Sequence, residues 1–175
     1  ENTSVGQGSL QVNTTGANNV AMGVDALSAN TTASKNTAVG HSALSANTTG
    51  TENSAFGTNA LATNTTGGEN HASGRKTLFA NTTGSYNAGS GATVLTANTT
   101  GSSNTGLGYR ALYNNTTASN NSAVGYQSLF YNTTGASLIA VGYRALLNNT
   151  TANNNTAVGR EALTANTTGT ENTGL

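Results

Sequence analysis

The sequence predicts an all-β fold, a parallel β-solenoid (β-roll or β-helix) of ten coils with 17 residues in each. Three observations predict it. A 17-residue period runs through the chain without insertion or deletion, some columns of the repeat never vary, and every Lys, Arg, Asp and Glu falls in a few other columns. Counting each unit from its first residue, position 1 reads Asn2, Asn19, Asn36, Asn53, Asn70, Asn87, Asn104, Asn121, Leu138, Asn155 and Asn172.

Position 9 is leucine in every unit: Leu10, Leu27, Leu44, Leu61, Leu78, Leu95, Leu112, Leu129, Leu146 and Leu163. An apolar residue that recurs at one point of each coil is expected to form a continuous buried ladder. Position 5 is always Gly, from Gly6 to Gly159, and positions 12 to 14 are always Asn-Thr-Thr, from Asn13-Thr14-Thr15 to Asn166-Thr167-Thr168. Position 3 stays small (Ser4, Ala21, Ala38 and so on to Ala157), and position 8 is mostly Ala or Ser. Position 4 is mostly apolar, as in Val5, Met22, Val39, Phe56, Leu107, Val124, Val141 and Val158, which makes it the expected second core residue. Positions 6, 7, 10, 16 and 17 vary freely, hold among them every charged residue, and are expected to face solvent.

A helical reading fails. Each unit carries Gly at position 5, Asn-Thr-Thr at 12 to 14 and usually Gly at 15, all poor helix formers. A two-helix repeat also needs about 33 residues or more. Strands are expected at positions 2 to 4 and 8 to 11, with a third short strand or an Asn-led turn at 12 to 14 and corners at 5 and 15. Coils stacked at about 4.8 Å give a rod on the order of 48 Å long. Identical side chains then lie above one another, and Asn at positions 1 and 12 can pair amide to amide along the axis.

Composition narrows the function classes. Charged residues make up 7% of the chain, the net charge is zero, and there is no Cys. Nothing steers such a chain to nucleic acid or an anionic membrane, and no thiolate metal site or disulfide framework can form. No stretch approaches the ~18 apolar residues of a membrane span, so no membrane insertion is expected. The chain starts at Glu1 without Met, which fits a mature, trimmed or partial chain. Glu1-Asn2-Thr3 and Glu171-Asn172-Thr173 share one phase, so residues 1–175 are expected to be a single segment of a longer array.

Segments such as Asn36-Thr-Ala-Val-Gly40 and Asn155-Thr-Ala-Val-Gly159, each followed by Ala-Leu, resemble the head repeats of trimeric autotransporter adhesins. They are also similar to Asn-Thr-Ala-Val-Gly repeats of large bacterial and viral surface or tail-fibre proteins. The resemblance covers the whole chain. It implies a left-handed parallel β-roll, a homotrimer, and a place at the cell or virion surface. The period here is longer than in the adhesin heads, and the extra length holds the Asn-Thr-Thr-Gly segment. No matrix-binding residue of those heads is matched in this sequence.

Candidate sites follow from the columns. His41 and His71 occupy different repeat positions, Asp25 is the only Asp, and no carboxylate pair recurs at a spacing suited to acid/base work, so no enzyme, cofactor or metal site is expected. Each Asn-Thr-Thr is formally an N-glycosylation acceptor, at Asn13, Asn30, Asn47, Asn64, Asn81, Asn98, Asn115, Asn132, Asn149 and Asn166; the competing reading is a structural Asn ladder. Tyr109, Tyr126 and Tyr143 share position 6 in consecutive coils, a candidate sugar-binding strip. Phe79, Tyr113, Phe130 and Leu147 share position 10, a candidate contact strip between chains, with Tyr131 beside it. The expected partner is the chain itself, stacked end to end and in a homotrimer, with surface glycans as a further ligand class. The expected function is a structural segment of an extracellular fibre or filament, and the alternative is an adhesin head or tail-fibre module that binds glycans or matrix.

Overall fold

The computed structural model describes residues 1–175 and contains no helix. Eleven short strands follow one another: β1 (Thr3–Val5), β2 (Val20–Met22), β3 (Thr37–Val39), β4 (Ser54–Phe56), β5 (His71–Ser73), β6 (Ala88–Ser90), β7 (Thr105–Leu107), β8 (Ser122–Val124), β9 (Ile139–Val141), β10 (Thr156–Val158) and β11 (Thr173–Gly174). They form one parallel sheet in chain order. Each residue pairs with the one 17 further on, as Thr37 with Ser54, Ala38 with Ala55 and Val39 with Phe56. The chain is therefore a β-solenoid with one strand, at positions 2 to 4, in each coil.

Positions 8 to 11 do not form the second strand expected of them. Ala26 N–H donates to Gly23 O at 3.3 Å and Asn30 N–H donates to Leu27 O at 3.1 Å, which closes two consecutive four-residue turns. Asp25 and Leu27 have φ of 56° and 50°, and all ten position-9 leucines lie between 48° and 53°. A left-handed residue cannot continue an extended strand. That conformation costs an L-residue roughly 1–2 kcal/mol, and full burial of a leucine side chain, worth about 1.5–3 kcal/mol, offsets it. Leu27 through Leu146 are fully buried at this position, whereas Leu10 and Leu163, in the terminal coils, are partly covered.

Coil-to-coil pairing continues outside the sheet. Leu27 N–H donates to Ala43 O at 3.0 Å, Ala29 N–H to Ser45 O at 3.0 Å and Thr48 N–H to Thr65 O at 3.0 Å. Only 20 of 114 backbone–backbone hydrogen bonds lie within the strands, so the rod does not depend on one sheet for its integrity.

Position 4 is not a core position. In a strand, neighbouring side chains alternate between faces. Position 3 points inward, so Ala21, Ala38, Ala55, Ala72, Ala123, Ala140 and Ala157 are buried against the leucines, and positions 2 and 4 point outward. Val5, Met22, Phe56, Leu107, Val141 and Val158 are 37–56% exposed. The interior thus holds leucine with two small residues, and the apolar position-4 column is a surface feature.

Two glycine columns have separate causes. Position 5 has φ between 116° and 138°, and a Cβ on Gly23 would stand 2.6 Å from Gly40 O. Position 15 has no left-handed backbone. A Cβ on Gly50 would stand 2.6 Å from Asn47 Oδ1, yet Ala33, Ala118 and Ala152 fill this position in three coils with the Asn bonds to their carbonyls kept, so glycine is favoured here rather than required.

Candidate functional site

The interior polar groups are committed to the fold. Each position-12 Asn donates through Nδ2 to Oδ1 of the equivalent Asn one coil back, as Asn64 to Asn47 and Asn81 to Asn64, both at 2.8 Å. The same Nδ2 donates to the position-15 carbonyl of its own coil, as Asn64 to Gly67 O at 2.9 Å. Position-1 Asn forms a second ladder. Asn36 Nδ2 donates to Gly50 O at 2.9 Å, while Asn36 Oδ1 accepts from Asn53 N–H at 2.9 Å. Gly50 O also accepts from Asn47 Nδ2, so one carbonyl joins both ladders in a coil. Leu138 interrupts the position-1 ladder; it is buried and joins the apolar core.

This geometry bears on the ten candidate acceptors. Asn30, Asn47, Asn64, Asn81, Asn98, Asn115, Asn132 and Asn149 are buried, and both hydrogens of each Nδ2 are used. Asn13 and Asn166 are half-buried. The Thr that follows each Asn is also structural: Thr65 Oγ1 donates to Thr82 O at 3.0 Å, and this bond repeats along the rod. The second Thr of each triplet, such as Thr66 and Thr83, is exposed.

The outer face of coils seven to ten carries an aromatic and cationic strip. The Tyr109 and Tyr126 rings stack with centroids 5.5 Å apart, and Tyr126 and Tyr143 stack at 5.4 Å. Arg110 lies over Tyr109 at 5.0 Å, Arg144 over Tyr143 at 5.1 Å, and Arg160 over Tyr143 at 5.5 Å. Neighbouring rings and guanidiniums therefore cover the ring faces. A neutral sugar stacks on an open ring face, so this column offers it edges rather than a platform. Arg110 also contacts the Tyr113 ring at 5.5 Å, and its Nε is the one buried side-chain polar atom in the chain without a hydrogen-bond partner. Ring faces, not hydrogen bonds, hold that guanidinium. Arg144 Nε donates to Gln127 Oε1 at 3.1 Å.

The tyrosine column is legible as a 17-residue repeat, but the arginines beside it do not stand out by column identity. Their signal is the paired Tyr109-Arg110 and Tyr143-Arg144, which puts a cation next to the aromatic column in alternate coils.

The position-10 residues Phe79, Tyr113, Phe130 and Leu147 are half-buried. Tyr113 and Phe130 stack at 5.3 Å, Tyr131 meets Phe130 edge-on at 4.7 Å, and Lys76 lies over Phe79 at 5.5 Å. Much of this strip is covered by the chain itself.

The remaining titratable groups are scattered. His41 Nδ1 is 3.1 Å from Ser42 Oγ, and the His71 ring tilts against Phe56 at 6.2 Å, so the two histidines serve different columns. Lys35 Nζ donates to Glu52 Oε1 at 2.9 Å; that hydrogen bond, and then the Glu52 charge, raises the lysine above its usual pKa. No three His, Cys, Asp or Glu side chains come together as a metal-binding group, and the surface has no pocket.

These features define a parallel β-solenoid with a leucine core and two internal Asn ladders. Comparison with protein-family models, with curated proteins and with solved structures gave no match.

Proposed function

We propose that the chain is a structural rod segment of an extracellular fibre or filament, at a cell or virion surface, that associates laterally with copies of itself. The observation that carries this reading is the outward apolar column at position 4. Val5, Met22, Phe56, Leu107, Val141 and Val158 stand exposed along the outer face of the sheet, with Val20 and Ile139 beside them at position 2. A folded chain gains nothing from such a column unless something covers it.

A second copy fits that face. Its rungs have the same axial period, so columns match along the whole length. The face measures about 50 Å by about 10 Å from strand spacing and rise. Two copies would bury on the order of 1,000 Å², the lower bound for a specific interface. Lateral contact is assigned to position 4 rather than position 10, because the position-10 rings are already half covered. A homotrimer is the form that the adhesin-head resemblance suggests.

Sedimentation of the wild type and of a Leu107→Ser, Val141→Ser, Val158→Ser variant tests this. The wild type is expected to form a discrete multimer and the variant to shift toward monomer with its β-sheet circular dichroism intact. A wild type that stays monomeric at high concentration removes the reading. The strip at Tyr109, Tyr126 and Tyr143, with its arginines, favours a second role as an adhesive module.

A further inference from the structure

We infer that positions 6 and 7 of coils seven to nine form a binding strip for an extended acidic polysaccharide in which charged and neutral sugars alternate. Three observations lead there.

The first is charge. Residues 104–160 contain Arg110, Arg144 and Arg160 and no Asp or Glu, in a chain whose net charge is zero. Glu161 pairs with Arg160 at 3.9 Å and ends the acid-free stretch at coil ten. Arg110 and Arg144, which have no acidic partner, make a local cationic strip on one face of a neutral rod.

The second is how the cations are held. Arg110 and Arg144 lie over tyrosine faces, and Arg160 caps the end of the column. Stacking satisfies the flat face of a guanidinium; with Nε buried in Arg110 and bonded to Gln127 in Arg144, the two terminal Nη groups are the donors left to grip a carboxylate or sulfate with two parallel hydrogen bonds. Because the ring faces are covered, the strip recognises its ligand through charge and edge hydrogen bonds rather than through sugar stacking.

The third is spacing. Position 7 reads Arg110, Gln127, Arg144 in successive coils, beside Tyr109, Tyr126, Tyr143. One rung is about 4.8 Å, close to the length of one pyranose in an extended chain. Cation, neutral amide, cation therefore matches acidic sugar, neutral sugar, acidic sugar. Gln127 spends its Oε1 on Arg144, which leaves its amide N–H groups for a sugar hydroxyl. Duplex DNA carries one charge per about 1.7 Å of axis, far denser than the cations Arg110 and Arg144, which stand two rungs apart.

Binding of the full chain to hyaluronan, in which a uronate alternates with a neutral amino sugar, tests the inference at low ionic strength. Neutral dextran, polygalacturonate with a charge on every sugar, and duplex DNA serve as comparators. Hyaluronan is expected to bind, dextran not to bind, and added salt to weaken the complex. An Arg110→Gln, Arg144→Gln variant is expected to lose tenfold or more in affinity, while an Arg75→Gln, Lys76→Gln variant, away from the strip, keeps it. A Gln127→Arg variant is expected to shift preference toward polygalacturonate. Absence of hyaluronan binding, equal loss in the variant changed at Arg75 and Lys76, or tighter binding to DNA than to hyaluronan would each overturn the assignment. The sedimentation behaviour of these variants reports separately on lateral assembly.

Discussion

Asn64 donates its side-chain amide to Asn47 Oδ1 at 2.8 Å, 17 residues away in sequence and one rung away in space. The bond repeats at every step of position 12, from Asn30–Asn13 to Asn166–Asn149. It places a neutral polar residue where an apolar one would be the simpler choice. A ladder of this kind specifies register: a slip of the coil by one residue would set Asn against Thr and leave buried amides unpaired.

Replacing one rung tests that cost. In an Asn98→Ala variant, Asn81 Oδ1 loses its donor and Asn115 Nδ2 loses its acceptor, both inside the rod. Each unsatisfied buried group costs about 1–3 kcal/mol, so a loss of about 2–6 kcal/mol is expected by urea denaturation. Asn98→Asp is expected to be worse at neutral pH, since it buries a carboxylate against Asn81 Oδ1 and the Gly101 carbonyl. Burial raises that carboxyl's folded pKa above its unfolded value of about 3.9. The penalty therefore grows as pH rises above the unfolded pKa and is relieved as pH falls. Equal stability of the wild type and the Asn98→Asp variant at neutral pH would show that the ladder is not closed to water.

The ladders are legible in the sequence because ten-fold repetition at a 17-residue period puts like residues above one another, which any stacked fold must do. Position 4 reads wrongly as core because apolarity alone does not say which face a residue joins. The correct signal is present: position 3 is held to Ser, Ala or Gly, as at Ala38 and Gly89, and the residues on either side of an inward small residue must point out. The turns are hidden for a different reason. Leu27 and its equivalents occupy left-handed backbone, and leucine carries none of the turn signals that Gly or Asn would. The covering of the tyrosine faces depends on side-chain placement in the folded coil, which column identity does not convey.

The distinction between positions 9 and 4 gives a paired prediction. Leu95 is fully buried, so Leu95→Ala is expected to cost about 2–5 kcal/mol. Val141 is exposed at position 4, so Val141→Ser in the isolated chain is expected to change folding stability by no more than about 0.5 kcal/mol. Denaturation at concentrations low enough to keep the chain monomeric separates the two. A Val141→Ser loss as large as that of Leu95→Ala would return position 4 to the core.

The Asn-Thr-Thr triplets give a chemical prediction. A sugar on Asn98 Nδ2 would replace one of the two hydrogens that bond Asn81 Oδ1 and Gly101 O and force a bulky polar group into the rod. The intact mass of native material is expected to equal that of the unmodified chain at the eight interior Asn, with Asn13 and Asn166 the only members of the position-12 ladder partly open to solvent. Sugar-sized mass increments that map to Asn64 or Asn98 would mean that the native rod lacks the continuous ladder.

The last prediction concerns backbone strain at position 7, which is left-handed in every coil and is occupied by Gly8, Asp25, Ser42, Asn59, Lys76, Thr93, Arg110, Gln127, Arg144 and Glu161. Thr93, with φ of 57°, is the only β-branched residue among them, and β-branched side chains suit this region least. Its hydroxyl donates to the Ala92 carbonyl, the residue just before it, at 2.7 Å, and makes no link between coils. Asn tolerates left-handed backbone because its short polar side chain bonds locally, and Asn59 already occupies the equivalent place at φ of 58°. Thr93→Asn is therefore expected to stabilise the rod by about 0.5–1 kcal/mol, part of the roughly 1–2 kcal/mol assigned to the left-handed region. The check is a higher urea midpoint with an unchanged denaturant slope, since the surface exposed on unfolding should not change. A lower midpoint would mean that packing of the Thr93 side chain, which is buried, outweighs its backbone strain.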